Sequence, residues 1–142
     1  MNPPDFALKA MNAAHRLLIR LTGGKVGYSA MGMPVVELTT TGRRSGEPRT
    51  VLLTAPVHGG GSYVVVASRG GDDRHPAWFH NLQATPEVEV AVQGGPRRPM
   101  RARVASAEER ARLWPQIAGK YTNYAGYQRS TDREIPLVHL EP

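Results

Sequence analysis

The sequence predicts an α+β protein that is mainly β, built from about six short antiparallel strands with helices packed around them. Gly and Pro contribute 15 and 12 of the 142 residues, and such a content is typical of a chain with many short connections. Runs rich in β-branched residues are separated by turns short enough for hairpins, and the strand–helix–strand rhythm of a parallel sheet is missing. Together these observations indicate a small antiparallel barrel with helices over its openings.

Residues 1–33 are predicted to form an N-terminal amphipathic helix and a lid-like loop, and residues 34–142 a barrel domain on which the helix packs. Residues 5–21 place apolar side chains at helical spacing opposite a basic face, which is typical of a surface helix. The same pattern also fits a basic amphipathic helix in peripheral contact with an anionic membrane surface. Residues 25–34 contain two glycines and a proline and are predicted to form a loop or lid.

The remaining elements follow from local patterns. The predicted strands are residues 35–41, 50–57, 62–68, 88–92, 100–104 and 137–140. A short helix is predicted over residues 76–83, with Pro76 in its first turn. Ser106 and Glu109 form the pattern of a capping box, which begins a helix through about Ala118 that Pro115 should bend or interrupt. The charges at residues 72–74 are interpreted as solvent-exposed turn residues.

Composition and charge exclude several classes of protein. The chain has no Cys, which excludes a disulfide scaffold, a thiolate zinc site and a cysteine nucleophile. His75 and His80 lack helical ligand spacing, so no metal site is expected. No segment approaches the ~18 consecutive apolar residues of a membrane span. Charged residues interrupt the N-terminal apolar pattern, so no signal peptide is expected and a cytoplasmic location is predicted.

Arginine dominates the basic residues, which number 18 against 12 acidic residues and give a formal net charge of +6. The planar guanidinium group of arginine binds phosphate and carboxylate through two parallel hydrogen bonds. One predicted turn, residues 42–49, holds Arg43, Arg44, Ser45 and Arg49. This turn suits a phosphate or polycarboxylate, and it equally fits a solvated basic hairpin. It is not a P-loop, because Glu47 stands where that motif needs lysine.

Two other segments carry candidate site residues. The sequence around Trp78, Phe79 and Asn81 offers aromatic rings beside an amide, suited to a planar ligand or to a hydrophobic core. Tyr121, Tyr124 and Tyr127 recur every three residues, and their phenols would either line a pocket as proton donors or pack in the core.

A further basic cluster lies on predicted strands and consists of Arg97, Arg98, Arg101 and Arg103. Nucleic-acid platforms interleave such charges with aromatic residues. Only nine aromatic residues occur in the chain, and none lies within residues 88–105. Nucleic acid is therefore not expected as a partner, and a basic barrel that binds nucleic acid without catalysis stays open only as the alternative.

Four blocks in order resemble the deazaflavin-dependent nitroreductase family of actinobacteria, whose members use coenzyme F420. They are ELTTTGRRSGEPRT (37–50), VVVASRGGDDRHPAWFHNL (64–82), TPEVEV (85–90) and YTNYAGYQRSTDREIPLVHLEP (121–142). The resemblance implies a split β-barrel like that of FMN-binding proteins, with F420 as cofactor and FMN as the alternative.

The resemblance also implies the positions of the site residues. Arg43, Arg44, Ser45 and Arg49 would meet the cofactor's phosphate and acidic tail. Thr50, Val51, Leu52, Leu53 and Thr54 would run along the cofactor. Ala67, Ser68 and Arg69 would form a second wall, and Ala77, Trp78, Phe79 and Asn81 a third. Tyr124 and Tyr127 would lie over the ring on the substrate side, with Tyr121 in the substrate pocket.

The implied reaction is hydride transfer from reduced F420 to a small, hydrophobic, electron-poor substrate. Candidates are a bulky enone, an unsaturated lactone of the coumarin or furanocoumarin kind, a quinone, or a nitro compound. Tyr124, or a water beside it, would supply the proton. Family members that reduce bicyclic nitroimidazoles carry an aromatic residue at the position of Thr54 and methionine at that of Ala77. The smaller residues here imply a wider pocket.

Overall fold

The computed structural model describes residues 29, 30 and 32–142, so the helix expected over residues 5–21 lies outside the described residues. The strands are β1 (Ser29–Ala30), β2 (Met33–Thr41), β3 (Pro48–Thr54), β4 (Val57–Gly59), β5 (Ser62–Val66), β6 (Glu87–Val92), β7 (Arg98–Val104) and β8 (Leu137–Glu141). The helices are α1 (Ala77–Ala84), α2 (Ala107–Lys120) and α3 (Thr122–Arg129), and a 3₁₀ turn covers Arg69–Gly71. The antiparallel α+β class is confirmed.

The strands form one antiparallel sheet that curves into a barrel. Its order is β1-β2-β6-β7-β8-β5-β4, and β3 pairs with the other edge of β2. β3 lies beside β2, near one end of this order, and β4 forms the other end, yet only Ala55 and Pro56 separate the two strands in the chain. The two ends of the sheet must therefore meet. The chain closes the barrel by passing from a strand on β2 to a strand on β5.

Strand β2 is the centre of this arrangement, because it pairs with both β3 and β6. Its residue Leu38 lies opposite Val51 of β3 and Val90 of β6. Seven of its nine residues are buried, as expected for a strand covered on both faces. Residues 42–49, called the arginine turn from here on, contain the connection from β2 to β3. Because the turn directly follows β2, this central strand fixes its position.

Two hydrophobic cores lie on the two faces of the sheet. Strand β5 shows the division, because side chains alternate between the faces of a strand. Val65 joins the barrel interior with Leu38, Val90 and helix α1. Its neighbours Val64 and Val66 join the second core, beneath α2 and α3. Helix α1 thus packs on the interior core, and the tyrosine-bearing α3 packs on the outer one.

Two local expectations need correction. The strand expected over residues 50–57 is broken into β3 and β4, because the chain changes partner from β2 to β5 there. The structure therefore has eight strands in its described part, where six were expected. The interruption expected at Pro115 is also wrong, since α2 continues from Ala107 to Lys120. Pro115 is exposed, and water can satisfy the helix carbonyl that the missing N–H leaves without a partner.

The capping box is confirmed, with the Glu109 backbone N–H donating to Ser106 Oγ at 3.2 Å and the Ser106 N–H donating to Glu109 Oε1 at 2.9 Å. Strand β1 shows that part of the expected loop over residues 25–34 is extended and pairs with β2. Within the described residues, no helix combines the length and the hydropathy that crossing a membrane requires.

Candidate functional site

The arginine turn is closed by its own backbone. The Gly42 N–H donates to the Glu47 carbonyl at 2.8 Å, and the Gly46 N–H donates to the Gly42 carbonyl at 2.8 Å. Gly46 has a φ of +75°, which glycine adopts without strain. Gly42 is crowded, because an added Cβ would lie 2.6 Å from Ser45 Oγ. The turn is therefore a rigid frame that leaves its arginine side chains exposed.

Asn81 of α1 anchors this turn from below. Its Oδ1 accepts from the Arg43 backbone N–H at 3.1 Å and from Arg43 Nη1 at 3.3 Å. Its Nδ2 donates to Thr40 Oγ1 at 3.1 Å. Asn81 is only 3% exposed and Thr40 only 2% exposed, so the bond between them is buried, whereas the two bonds to Arg43 are partly buried. Asn81 thus fixes one arginine directly and the end of β2 beside it.

Replacing Asn81 with leucine should lower the free energy of unfolding by about 1–3 kcal/mol, because the buried Thr40 hydroxyl and the Arg43 N–H lose their partner. Asn81→Asp should lie between Asn81→Leu and the wild type, since a carboxylate still accepts from Arg43 but cannot donate to Thr40. Urea denaturation measures both. Gln83→Leu, at an exposed position of the same helix, is the control, and equal stability of Asn81→Leu and Gln83→Leu would contradict the anchor.

An open cleft of about 670 Å³ lies between the arginine turn, β3 and α1, within the range of small-molecule sites. Among the described residues it is lined by Gly42, Arg43, Arg44, Ser45, Arg49, Thr50, Val51, Ala77, Trp78 and Asn81. Nine of the sixteen residues predicted for the cofactor therefore meet at one cleft. Gly42, the first residue of the predicted turn, was not among those sixteen, and the structure shows in addition that Ser45 crowds its Cβ position.

Arg49 and Ser45 place hydrogen-bond donors at the cleft. Ser45 Oγ accepts from the Glu47 N–H at 3.1 Å and from Arg49 Nη2 at 3.3 Å. In these two bonds the oxygen only accepts, so the hydroxyl proton is still available for donation. Guanidinium and hydroxyl donors around a glycine turn fit phosphate or carboxylate oxygens.

The other seven predicted cofactor residues do not line the cleft. Ala67 and Phe79 are buried in the barrel core, at 0% and 4% exposure, and Leu53 packs against that core. Leu52 and Thr54 continue β3 beyond the cleft. The backbone carbonyl of Ser68 accepts from Arg133 Nη2 at 2.8 Å, and Arg69 forms an ion pair with Asp72.

The interpretation of residues 72–74 as solvent-exposed turn residues is wrong for Asp72. Asp73 and Arg74 are exposed as expected, but Asp72 is only 3% exposed. Its carboxylate pairs with Arg69, and Arg74 Nη2 lies 3.3 Å from its Oδ2. A buried carboxylate needs such partners, and here they fold the Ser68–Arg74 segment back on itself.

The three tyrosines of the α2–α3 region form a ladder of edge-to-face rings. Ring centroids are 6.4 Å apart for Tyr121 and Tyr124 and 6.1 Å apart for Tyr124 and Tyr127. Tyr124 is only 4% exposed, and its hydroxyl lies 2.6 Å from Thr54 Oγ1 and 3.7 Å from Met33 Sδ. Burial raises the pKa of the Tyr124 phenol, and the Thr54 hydrogen bond partly offsets this rise.

Strand β3 connects the two groups of candidate residues. Its first half lines the cleft, and its last residue, Thr54, meets Tyr124. Thr54 follows Thr50 by four positions, which is a distance of about 13 Å along an extended strand. The structure thus places an arginine-rich end and a hydroxyl-bearing end along one strand.

Three of the four clustered arginines of β7 and its preceding turn, Arg97, Arg101 and Arg103, pair with carboxylates. Arg103 reaches Glu109 at 2.7 Å and Glu141 at 3.1 Å, and Arg101 reaches Glu87 at 3.0 Å. Arg103 holds the pKa of the Glu109 carboxyl at about 2. Arg97 lies 3.4 Å from Glu37. These arginines are not part of the cleft, and their charges are largely balanced across neighbouring strands.

A second cavity of about 420 Å³ opens near the β6–β7 turn and Tyr63. None of the predicted site residues lines it. The cleft at the arginine turn has the concentrated donors that the second cavity lacks, so it is the better candidate site.

Known proteins resemble this chain closely. Residues 12–142 match the family described as F420H(2)-dependent quinone reductase. An F420H(2)-dependent quinone reductase of Mycobacterium tuberculosis is 41% identical over 134 residues, which cover 89% of this chain and 86% of that protein. The solved structure of an F420-H2 dependent reductase, FDR-A, has a TM-score of 0.66 and 43% identity, and the match covers 76% of this chain and 94% of that one.

A second solved structure, described as a domain-swapped dimer, has a TM-score of 0.67 and 38% identity over 93% of this chain and 96% of that one. The likeness to FDR-A confirms the split β-barrel expected from the sequence.

Proposed function

This chain belongs to the F420H(2)-dependent quinone reductase family and is an F420-dependent oxidoreductase, and we propose that it holds F420 by its acidic end at the arginine-lined cleft and reduces quinones and related electron-poor molecules. The observation that carries the proposal is the meeting of nine predicted cofactor residues at one cleft. Enones, unsaturated lactones and nitro compounds are further candidate substrates, since each also presents an electron-poor π system.

The cleft fits the anionic part of the cofactor. Arg43, Arg44 and Arg49 bring three guanidinium groups to a turn whose backbone is closed by hydrogen bonds. They would bind the phosphate and acidic tail of F420, with the Ser45 hydroxyl as a further donor. A preorganised turn loses little entropy when the ligand binds, which favours affinity.

The direction of β3 supports the placement of the reacting ring. With the acidic tail at the arginine turn, a ligand lying along β3 extends about 13 Å toward Thr54 and Tyr124. Trp78 of α1 also lines the cleft, and although it is only 6% exposed it offers an apolar surface there. The substrate would then occupy the space beside Thr54, whose small side chain leaves more room than an aromatic residue.

The chain's own contribution to chemistry is orientation and proton delivery. When bound, reduced F420 supplies a hydride, the two-electron chemistry that a deazaflavin carries. The proton must come from another group. Since Tyr124 is buried and bonded to half-buried Thr54, we assign proton delivery to this pair. The Thr54 hydroxyl donates to the reduced substrate as it receives a proton from the Tyr124 phenol.

Fluorescence titration tests the proposal directly. The purified protein should bind F420 in the micromolar range or tighter and should bind FMN at least tenfold more weakly. With reduced F420, a quinone such as menadione should be turned over, and a parallel series with an enone, an unsaturated lactone and a nitroaromatic compound ranks the substrates. Tighter binding of FMN than of F420, or binding of F420 with no turnover of any of these substrates, would contradict the proposed function.

A further inference from the structure

Arg133, in the loop after α3, contacts residues 67–75 through four contacts of its guanidinium group. Its Nε donates to the Asp72 carbonyl at 2.9 Å, and its Nη2 donates to the Ser68 carbonyl at 2.8 Å. Its Nη1 donates to the Ala67 carbonyl at 3.2 Å and lies 3.0 Å from His75 Nδ1. Three backbone carbonyls and a ring nitrogen of residues 67–75 are therefore satisfied by one side chain.

Arg133 is itself held by helix α3. Gln128 Nε2 donates to the Arg133 carbonyl at 2.7 Å, and Gln128 Oε1 accepts from the Ile135 N–H at 3.0 Å. The Arg133 N–H also donates to Thr131 Oγ1 at 3.3 Å. The backbone of Arg133 is thus held against α3, which carries Tyr124 and Tyr127.

Residues 67–75 lead directly into the cleft. They connect the end of β5 to α1, whose Ala77, Trp78 and Asn81 line it. His75 packs against Phe79 of that helix with ring centroids 4.8 Å apart. On the other side, Gly71 approaches α3 so closely that an added Cβ would lie 3.0 Å from the Tyr127 carbonyl oxygen.

We propose that Arg133 is a positioning residue that fixes α1, and hence the Trp78–Asn81 side of the cleft, relative to the tyrosines of α3. This inference rests on the proposed function, because it is the bound cofactor that needs both sides at a set separation. Small displacements of positioning groups are costly to catalysis, since reacting atoms must meet within a narrow range of distance.

The geometry requires arginine and not merely a positive charge. The four contacts use three different nitrogens arranged in a planar fork. Lysine offers one nitrogen on a flexible stem and cannot reach carbonyls on both sides of the fork. Arg133→Lys therefore keeps the charge and removes most of the connection.

Arg110 provides a matched control. It is also half-buried, donates from Nε to the Ile135 carbonyl at 2.8 Å and from Nη2 to Gln128 Oε1 at 3.0 Å. It supports the same loop after α3, and its contacts are with α2, α3 and that loop, not with residues 67–75. Arg110→Lys should therefore lower thermal stability without moving α1.

The experiment compares Arg133→Lys, Arg133→Ala and Arg110→Lys. Melting temperature, F420 dissociation constant, and kcat and KM for menadione are measured well below each melting temperature. Both Arg133 variants should weaken F420 binding or lower kcat by at least tenfold, and Arg110→Lys should change each by less than twofold. Millimolar guanidinium should partly restore Arg133→Ala and leave Arg110→Lys unchanged.

Hydrogen exchange on the protein without cofactor gives an independent measurement. Amides of residues 67–84 should exchange at least tenfold faster in Arg133→Lys than in the wild type, and at wild-type rates in Arg110→Lys. Unchanged exchange and unchanged F420 binding in Arg133→Lys would overturn the positioning role, as would equal losses in Arg110→Lys. If the wild type fails to bind F420, the proposed function fails, whereas the exchange rates still decide whether Arg133 holds this segment.

Discussion

Reversing the charge of Arg43 and Arg44 together (R43E/R44E) should raise the F420 dissociation constant by at least about 100-fold. Each charge-assisted hydrogen bond contributes about 1.5–3 kcal/mol, and every 1.4 kcal/mol is about tenfold in affinity. The two glutamates would also repel the acidic ligand. Fluorescence titration at several salt concentrations measures the constant, and its dependence on salt should become shallower because fewer screened attractions remain.

A control must separate local contacts from overall charge. The double variant lowers the formal net charge from +6 to +2, since each replaced arginine removes one positive and adds one negative charge. R98E/R112E makes the same change at exposed positions of β7 and α2, away from the cleft. That variant should bind F420 within about threefold of the wild type. A similar loss in both double variants would show that only the overall charge matters and would remove the arginine turn from the site.

The barrel was predictable because its causes are local. β-Branched runs, glycine turns and the capping box each act over a few residues, and all of them gave elements close to those observed. The break between β3 and β4 was not predictable, because it follows from the change of partner from β2 to β5. A strand's partners are a tertiary property that residues 50–57 do not encode by themselves.

The candidate site likewise has a part that could be predicted from the sequence and a part that could not. The arginine turn was found because its chemistry is concentrated in eight consecutive residues, 42–49. The burial of Asp72 and the reach of Arg133 to residues 67–75 were missed, since both depend on chain segments that meet only after folding. An arginine that donates to backbone carbonyls has no charged partner to search for in sequence, which is why Arg133 carried no signal.

The proton-delivery pair gives the second large effect expected. Tyr124→Phe should lower kcat for menadione by about 100-fold, the lower end of what general acid catalysis contributes. Thr54→Val, which keeps the shape of the side chain, should cause a similar loss because the two hydroxyls, 2.6 Å apart, act in series. The F420 dissociation constant should change by less than about threefold in either variant. The double variant should be no worse than the poorer single one, since groups that act as one unit are not additive.

The pH dependence follows from the burial of the phenol. Because burial raises the pKa of Tyr124 above its ordinary range, the phenol stays protonated and able to donate between about pH 6 and pH 9. The wild-type kcat should therefore stay level across that interval and fall only at higher pH. Tyr63→Phe, a tyrosine on β5 outside the cleft, is the control and should retain wild-type kcat. Unchanged turnover of Tyr124→Phe at every pH would assign the proton to water, and additive losses in the double variant would separate Thr54 from Tyr124.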